Sequence, residues 1–250
     1  MSLLVPSITS FFAGVALVPA IQVANIAIGR LVLRPRLRRQ LQIASRGSLV
    51  LTYDDGPSTR MQSAILDMLR ARGAKATFYL LESRAEGQRE RIEELTRDGH
   101  EVATHSFAHL DAYRVSARTA CADLRNGLAV SIAAKRHVQR FRPPCGRVTV
   151  ATYQVARRAG LSFDLWTHDS GDTFATCPPV ATIVDAVDAT NGGVVLLHSH
   201  DRGANRADTE AHTLAVTSAL LDLADRRGLV VRRMCDLASE LDRVAPSTPQ

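Results

Sequence analysis

From residue 47 onward, short apolar runs alternate with longer segments in which apolar residues recur every three or four positions. The short runs predict strands at 48–54, 75–81, 100–105, 139–142, 162–168, 193–198 and 229–234. The longer segments predict helices at 59–72, 88–98, 116–136, 148–159, 178–190, 207–227 and 235–244. Helices that end at a glycine just before a strand, as at Gly73 and Gly99, are typical of βα units. Seven such units predict an α/β fold, either a doubly wound sheet or a (β/α) barrel.

The N-terminal region differs from the rest of the chain. Residues 1–29 contain no charged side chain, and five arginines follow, namely Arg30, Arg34, Arg36, Arg38 and Arg39. Residues 3–28 are long enough to cross a bilayer but contain prolines and amides. We therefore expect residues 1–40 to form a hydrophobic, arginine-flanked arm that contacts a membrane or packs on the domain or on a second copy. Membrane contact would place the protein in the cytoplasm, at the inner face of the membrane, with the periplasm or cell surface as the alternative.

Composition narrows the classes of partner. The chain has 250 residues, of which 46% are hydrophobic, and its net charge is +6. This suits one large α/β domain, and a basic balance also permits nucleic-acid binding. However, aromatic residues make up only 5% of the chain, and no compact basic–aromatic block lies outside the arm. We therefore expect no nucleic-acid partner. The four cysteines include no C-x-x-C pair, which excludes a zinc ribbon.

Ionisable side chains cluster on the predicted strands, mostly where these end. The clusters are 54–55 (DD), 105–109 (HSFAH), 140–146 (RFRPPCG), 164–172 (DLWTHDSGD) and 196–201 (LLHSHD). Because parallel strands place their carboxyl ends at one edge of a sheet, these clusters can converge on a single pocket.

The two histidines of the second cluster suggest a metal. His105 and His109 are four residues apart, which puts both rings on one side if the turn is helical. Such a pair alone is most often structural, but Asp54 or Asp55 supplies a third, hard ligand. Two imidazoles and one carboxylate leave open positions, as a catalytic zinc site requires. A non-haem iron oxygenase uses the same ligands, but its usual double-stranded β fold does not fit the alternating pattern. One acid is expected to bind the metal and the other to act as a base, while the metal's charge offsets their repulsion.

The motifs TYDDGPS, HSFAH, RPPCG, DLWTHDSGD and LLHSH occur in the order and spacing of a known family. Over about residues 47–235 the chain resembles the polysaccharide deacetylases, carbohydrate esterase family four, which include chitooligosaccharide and peptidoglycan N-acetylglucosamine deacetylases. The resemblance implies a distorted (β/α) barrel with about seven parallel strands, which we adopt over the doubly wound sheet. It implies a deacetylase domain at 41–245, with 246–250 as a frayed tail. The implied activity is metal-dependent hydrolysis of N-acetyl or other N-acyl groups on an amino sugar in an oligosaccharide, glycan or lipid-linked saccharide.

The resemblance also implies catalytic roles. Asp54 matches the general base, and Arg142 matches the arginine that orients it. His198 matches the general acid, and Asp172 matches the aspartate that holds this histidine. The backbone N–H of Cys145 matches an oxyanion donor.

By the same resemblance, Asp55, His105 and His109 bind one divalent metal ion. Zinc is favoured, with cobalt or manganese as alternatives. Trp166, Pro144 and Leu197 are expected to line the substrate site, with Leu196 or Leu197 at the acetyl group. The implied partner is an N-acetylated amino-sugar saccharide.

The chain departs from the family pattern at three points. Thr173 stands where a tryptophan is usual, and Cys145 replaces a common aromatic residue. His200 and Asp201 follow the predicted acid, and we interpret His200 as a surface residue. The alternative function is a non-catalytic glycan-binding or membrane-scaffold member of the fold. The chain retains all the residues matched above, which argues against this alternative. They are Asp54, Asp55, His105, His109, Arg142, Asp172 and His198.

Overall fold

The computed structural model describes residues 20–201 and 207–244. In these ranges the chain forms one parallel sheet with strands β1 (Ser48–Gly56), β2 (Thr77–Leu80), β3 (Glu101–Thr104), β4 (Arg140–Phe141), β5 (Ser162–Phe163), β6 (His168–Asp169), β7 (Gly193–His198) and β8 (Val230–Val231). The helices are α1 (Arg34–Ala44), α2 (Arg60–Ala71), α3 (Glu82–Ala85), α4 (Arg89–Arg97), α5 (Ala117–Ala133), α6 (Val150–Arg158), α7 (Val180–Ala189), α8 (Ala207–Arg227) and α9 (Ala238–Val244). The predicted alternation of strands and helices is confirmed, and α3 is an addition to it.

The order of strands requires the sheet to curl. The order is β5-β4-β3-β2-β1-β7-β6, with β8 pairing with the start of β1. The edge strands β5 and β6 are consecutive in the chain and are joined by residues 164–167. This connection spans at most about 18 Å, whereas a flat sheet of seven strands is about 29 Å wide. The two edges must therefore approach each other. The predicted strand 162–168 is two short strands, β5 and β6, which lie at the two edges of the incompletely closed barrel.

The strands bury both faces because helices cover the outside of the curled sheet. Leu49, Leu51 and Tyr53 of β1 lie in the outer core, where they pack with side chains of α2 and α8. Thr52 and Asp54 alternate with them and therefore point to the interior of the barrel. The interior is polar at this level, since both residues are buried and contact a guanidinium group described below.

The part of the arm that the structure describes packs on the domain. Residues 20–28 are helical and continue through a π-helical turn, Gly29–Leu33, into α1, which ends beyond the predicted arm boundary at residue 40. Gln22 accepts a hydrogen bond from the backbone of Ala117 at 3.2 Å, and Asn25 accepts one from Ala151 at 2.8 Å. No helix among the described residues is both long and apolar enough to cross a bilayer. Residues 1–19 of the predicted arm and the predicted tail at 246–250 lie outside the described ranges.

Gly29 is a point of close approach between this helix and the domain. A Cβ atom at this position would lie 2.1 Å from the carbonyl oxygen of Val148 and 2.7 Å from Cα of Thr149. Backbone atoms cannot move aside as a side chain can, so any larger residue must push the helix away.

We expect Gly29→Ala to destabilise the protein by about 1–3 kcal/mol through overpacking, which corresponds to a fall in Tm of roughly 3–10 °C for a chain of this size. Thermal unfolding followed by circular dichroism measures the change. Ala24→Ser, at an exposed position of the same helix, is the matched control and should change the Tm by less than about 2 °C. Equal Tm values for Gly29→Ala and the wild type would contradict the close packing of the arm.

Candidate active site

A bulge at the end of β1 turns two adjacent carboxylates toward the same site. Asp54 pairs with Tyr79 and Gly56 with Leu80, so the register of β1 against β2 skips Asp55. Asp55 has a φ of 69°, in the left-handed region. In a regular strand the two side chains would point to opposite faces. Here Nε2 of His105 is 3.6 Å from Oδ2 of Asp54 and 3.8 Å from Oδ1 of Asp55.

The histidines converge through a loop rather than a helical turn. Ser106 and His109 have positive φ values of 73° and 58°, so residues 105–109 fold back on themselves. Asp123 of α5 holds this loop by accepting a hydrogen bond from the backbone N–H of Ala108 at 2.8 Å. The His105 and His109 rings consequently lie 5.0 Å apart, centroid to centroid.

The donor atoms of Asp55, His105 and His109 fit a divalent cation. Their ligand atoms all lie within 4.8 Å of one another. Nδ1 of His105 is hydrogen bonded to the carbonyl oxygen of Arg142 at 2.8 Å, which directs Nε2 toward the carboxylates. Oδ1 of Asp55 is buried and accepts no hydrogen bond from the described part of the chain. An orphaned anionic oxygen between two imidazoles is what a bound cation would satisfy.

The protonation states agree with this interpretation. Burial lowers the pKa of His105 below its usual value, so the ring is neutral at pH 7, as a metal ligand must be. Burial alone would raise the pKa of Asp55, but the surrounding histidines lower it. These are, in order of effect, His105, His198, His109 and His200.

Asp54 is held by a fully buried arginine. Nη1 of Arg142 donates to Oδ1 of Asp54 at 2.8 Å and to Oγ1 of Thr52 at 2.8 Å. Nη2 donates to the carbonyl oxygen of Leu165 at 3.1 Å, and Cζ lies 4.0 Å from the centroid of the Tyr79 ring. Burial by itself would lower the pKa of Arg142, but the charge of Asp54 raises it, and the guanidinium is ionised. One oxygen of Asp54 is thus committed to Arg142, and the other, Oδ2, faces the histidines.

His198 lies at the end of β7, next to β1, where its Cα is paired with that of Asp54. Its Nδ1 is 2.7 Å from Oδ1 of Asp172, and Oδ2 of Asp172 accepts hydrogen bonds from the His198 backbone at 2.9 Å and from Oγ1 of Thr213 at 2.8 Å. Burial opposes the charged form of His198, but Asp172 raises the pKa of the imidazole above its usual value. The pair therefore favours the protonated form of the ring and leaves Nε2 as its remaining polar atom.

The turn after Arg142 brings together the other predicted residues. Pro144 and Cys145 lie in the turn Pro144–Gly146, in which Cys145 has a φ of 54°. Trp166 packs on this turn, since a Cβ atom on Gly146 would lie 2.6 Å from its ring. Burial raises the pKa of the Cys145 thiol, and its sulfur is not part of the Asp55 cluster among the described residues.

Leu197 does not line the site, and this expectation was wrong. Its side chain is fully buried in the outer core with Val195 and Tyr53. Side chains alternate along β7, so Leu196 lies on the same face as His198. Both positions are apolar because a parallel strand is buried on both faces. The sequence therefore does not reveal which of the two leucines faces the barrel interior.

His200 is also placed differently from the prediction. Its side chain is 20% exposed, and its Nδ1 lies 3.4 Å from Oδ2 of Asp55, so it borders the candidate metal site rather than the surface. The flanking residues fix the loop. The backbone of Ser199 donates to the carbonyl oxygen of Asp54 at 3.0 Å, and Oδ1 of Asp201 accepts from the backbone of Met61 at 2.8 Å, at the start of α2.

Three further supporting residues were not among the predicted site residues. Thr52, Asp123 and Thr213 contact the motif residues directly. Of the three, only Thr213 could have been found from the sequence. It belongs to a row of threonines at four-residue spacing on one face of α8, together with Thr209 and Thr217, and all three are buried. Nothing in the sequence pairs the other two with their partners.

Comparison with known proteins gives consistent matches. Residues 42–163 match the family model of polysaccharide deacetylases. The chain is 31% identical over 209 residues to a chitooligosaccharide deacetylase of Bradyrhizobium sp. (strain ANU 289), with 78% of this chain and 92% of the relative covered. It is 31% identical over 165 residues to a peptidoglycan-N-acetylglucosamine deacetylase of Bacillus cereus, with 65% and 76% covered. A family 4 carbohydrate esterase from Streptomyces lividans, solved in complex with acetate, has a TM-score of 0.61 at 26% identity and covers 74% of this chain and 92% of its own. The predicted distorted (β/α) barrel is confirmed.

We expect Asp172→Asn to lower the pKa of His198, because the variant loses the charge that holds the proton on a buried ring. NMR titration of the His198 ring measures the shift. Since the raised pKa belongs to the folded state, the stability lost in the variant should be largest below pH ~6.5 and should vanish as the pH rises through the folded pKa.

Thr213→Val is the control for this titration, because it removes a hydrogen bond to Asp172 but keeps the carboxylate charge. Its His198 pKa should stay close to that of the wild type. An unchanged pKa in Asp172→Asn would show that the aspartate does not charge the ring.

Proposed function

The chain belongs to the polysaccharide deacetylase family, and we propose that it is a hydrolase that removes N-acetyl groups from the amino sugars of a saccharide. The observation that carries the proposal is the bulge at Asp55, which places two carboxylates beside His105 with His198 on the adjacent strand. The sugar carrier is an oligosaccharide, a glycan or a lipid-linked saccharide, and the acyl group is acetyl or another N-acyl group.

Asp55, His105 and His109 are the residues that would hold a divalent cation, for which we favour zinc over cobalt or manganese. When bound, such an ion supplies Lewis acidity for water and for the amide carbonyl. Metal content is a property that can be measured apart from turnover.

Asp54 acts as the general base in this proposal. Arg142 holds Oδ1, so Oδ2 is oriented to take a proton from the attacking water. The backbone N–H of Cys145 is the proposed donor to the developing oxyanion. His198 then gives the proton on Nε2 to the leaving nitrogen, because its Nδ1 is engaged by Asp172. The C–N bond breaks, and acetate and a free amine are formed.

The close arrangement of these groups supports an enzyme over a non-catalytic glycan-binding or scaffold member of the fold. Membrane contact through residues 1–40 and a cytoplasmic location, with the periplasm or cell surface as the alternative, stay predictions. Trp166 and Pro144 are proposed to contact the saccharide.

We expect the purified protein to release acetate from N-acetylated chitooligosaccharides and to lose this activity with a chelator. Asp54→Asn should lower kcat by about 10²–10⁴-fold while metal content is retained, because the base is lost and the ligands remain. His105→Ala should lose both metal and activity. Asp67→Asn, at an exposed position of α2, is the control. Activity that survives both the chelator and the substitutions would contradict the proposal.

A further inference from the structure

The arm brings a group of arginines together beside the candidate active site. Burial lowers the pKa of Arg34, and the like charges of nearby arginines lower it further. These neighbours are Arg38, Arg147 and Arg30. Arg147 belongs to the chain segment that follows Cys145, and the other three belong to the helical arm. We call Arg30, Arg34, Arg38 and Arg147 the arginine cluster.

Negative charge does not balance this cluster. Asp111 is shared between Nε of Arg147 at 3.5 Å and Nε of Arg114 at 3.7 Å. Within the described ranges, the three arginines of the arm form no ion pair, and Arg38 donates only to the carbonyl oxygen of Thr167. The Nε atom of Arg34 is buried and has no hydrogen-bond partner in the part of the chain described, and the buried Nε atom of Arg147 has only the ion pair with Asp111. A buried Nε donor without an acceptor is a costly arrangement that a bound anion would relieve.

The cluster borders the candidate active site on the side of Cys145. Arg147 follows Cys145 by two residues, and its Nε lies 3.5 Å from Oδ2 of Asp111, which follows His109 by two residues. The contact of Gly29 with Val148 and Thr149 fixes the arm against the segment that follows Arg147. The arm thereby adjoins the chain segment that also carries Cys145 and Arg147.

The same helix exposes apolar side chains. Leu31 is 71% exposed, Val32 56% and Ile28 47%, and all three lie within six residues of Arg34. An exposed apolar surface next to guanidinium groups suits a molecule that combines a hydrocarbon chain with an anionic head group.

We propose that Arg34, Arg38 and Arg147 bind the phosphate of a lipid-linked acetamido sugar, with its lipid chain along Leu31 and Val32. This proposal rests on the proposed deacetylase function and specifies its substrate. Arginine binds phosphate oxygens bidentately, so guanidinium groups suit such a ligand. The lipid explains why the neighbouring apolar residues face outward.

The test compares three substrates with the full-length protein. They are a neutral N-acetylated chitooligosaccharide, soluble N-acetylglucosamine 1-phosphate, and N-acetylglucosamine attached to polyprenyl phosphate in phosphatidylcholine vesicles. We expect kcat/KM for the lipid-linked sugar to exceed that for the chitooligosaccharide at least tenfold. The double variant Arg34→Gln/Arg147→Gln should reduce this ratio at least tenfold, mainly through KM.

Arg226→Gln, at an exposed position at the end of α8, is the matched control and should keep the wild-type ratio. Arg34→Lys retains the charge and should keep part of the preference. A preference for the soluble sugar phosphate over the lipid-linked sugar would overturn the lipid assignment. An unchanged ratio in the double variant, with turnover of the chitooligosaccharide, would overturn this inference alone. Failure of all three substrates would overturn the proposed function instead.

Discussion

The buried guanidinium of Arg142 is the contact on which the barrel interior and the candidate site both depend. It joins β1 through Thr52 and Asp54, stacks on Tyr79 of β2, and donates to Leu165 in the connection that closes the curled sheet. A buried charge is tolerated only when it is paired and its donors are satisfied. The requirement to satisfy Arg142 therefore fixes the position of Asp54 and draws the edges of the sheet together.

The chemistry is assembled from the carboxyl ends of neighbouring strands. Asp54 and Asp55 come from β1, the histidine loop follows β3, and His198 ends β7. Each group is oriented by a second residue: Arg142 for Asp54, a backbone carbonyl for His105, and Asp172 for His198. This division leaves Oδ2 of Asp54 and Nε2 of His198, the two atoms that the proposed mechanism uses, facing the space between the strands. The arrangement agrees with hydrolysis of an amide by water, a base and an acid.

The strand–helix order, the barrel and the motif residues could be predicted from the sequence, because glycine stops and strand-end polar clusters are local signals. Three features could not. The left-handed backbone at Asp55 depends on the register against β2, not on the residue type. The sequence does not show which of Leu196 and Leu197 faces the barrel interior, because the strand is buried on both faces. The position of His200 depends on Asp201 reaching the start of α2, a contact between residues about 140 apart.

The π-helical turn Gly29–Leu33 has a consequence for how the arm stays in contact with the barrel. An α-helix turns about 100° per residue, so over the twelve steps from Asn25 to Leu37 a regular helix would rotate the contact face by about 120°. One extra residue in a turn reduces this phase error to about 20°. The wider turn therefore acts as a phase correction, and it lets Asn25 and Leu37 of one continuous helix face the same neighbour, since Asn25 bonds to Ala151 of α6 and Leu37 packs on the cluster that contains Ala156 of α6.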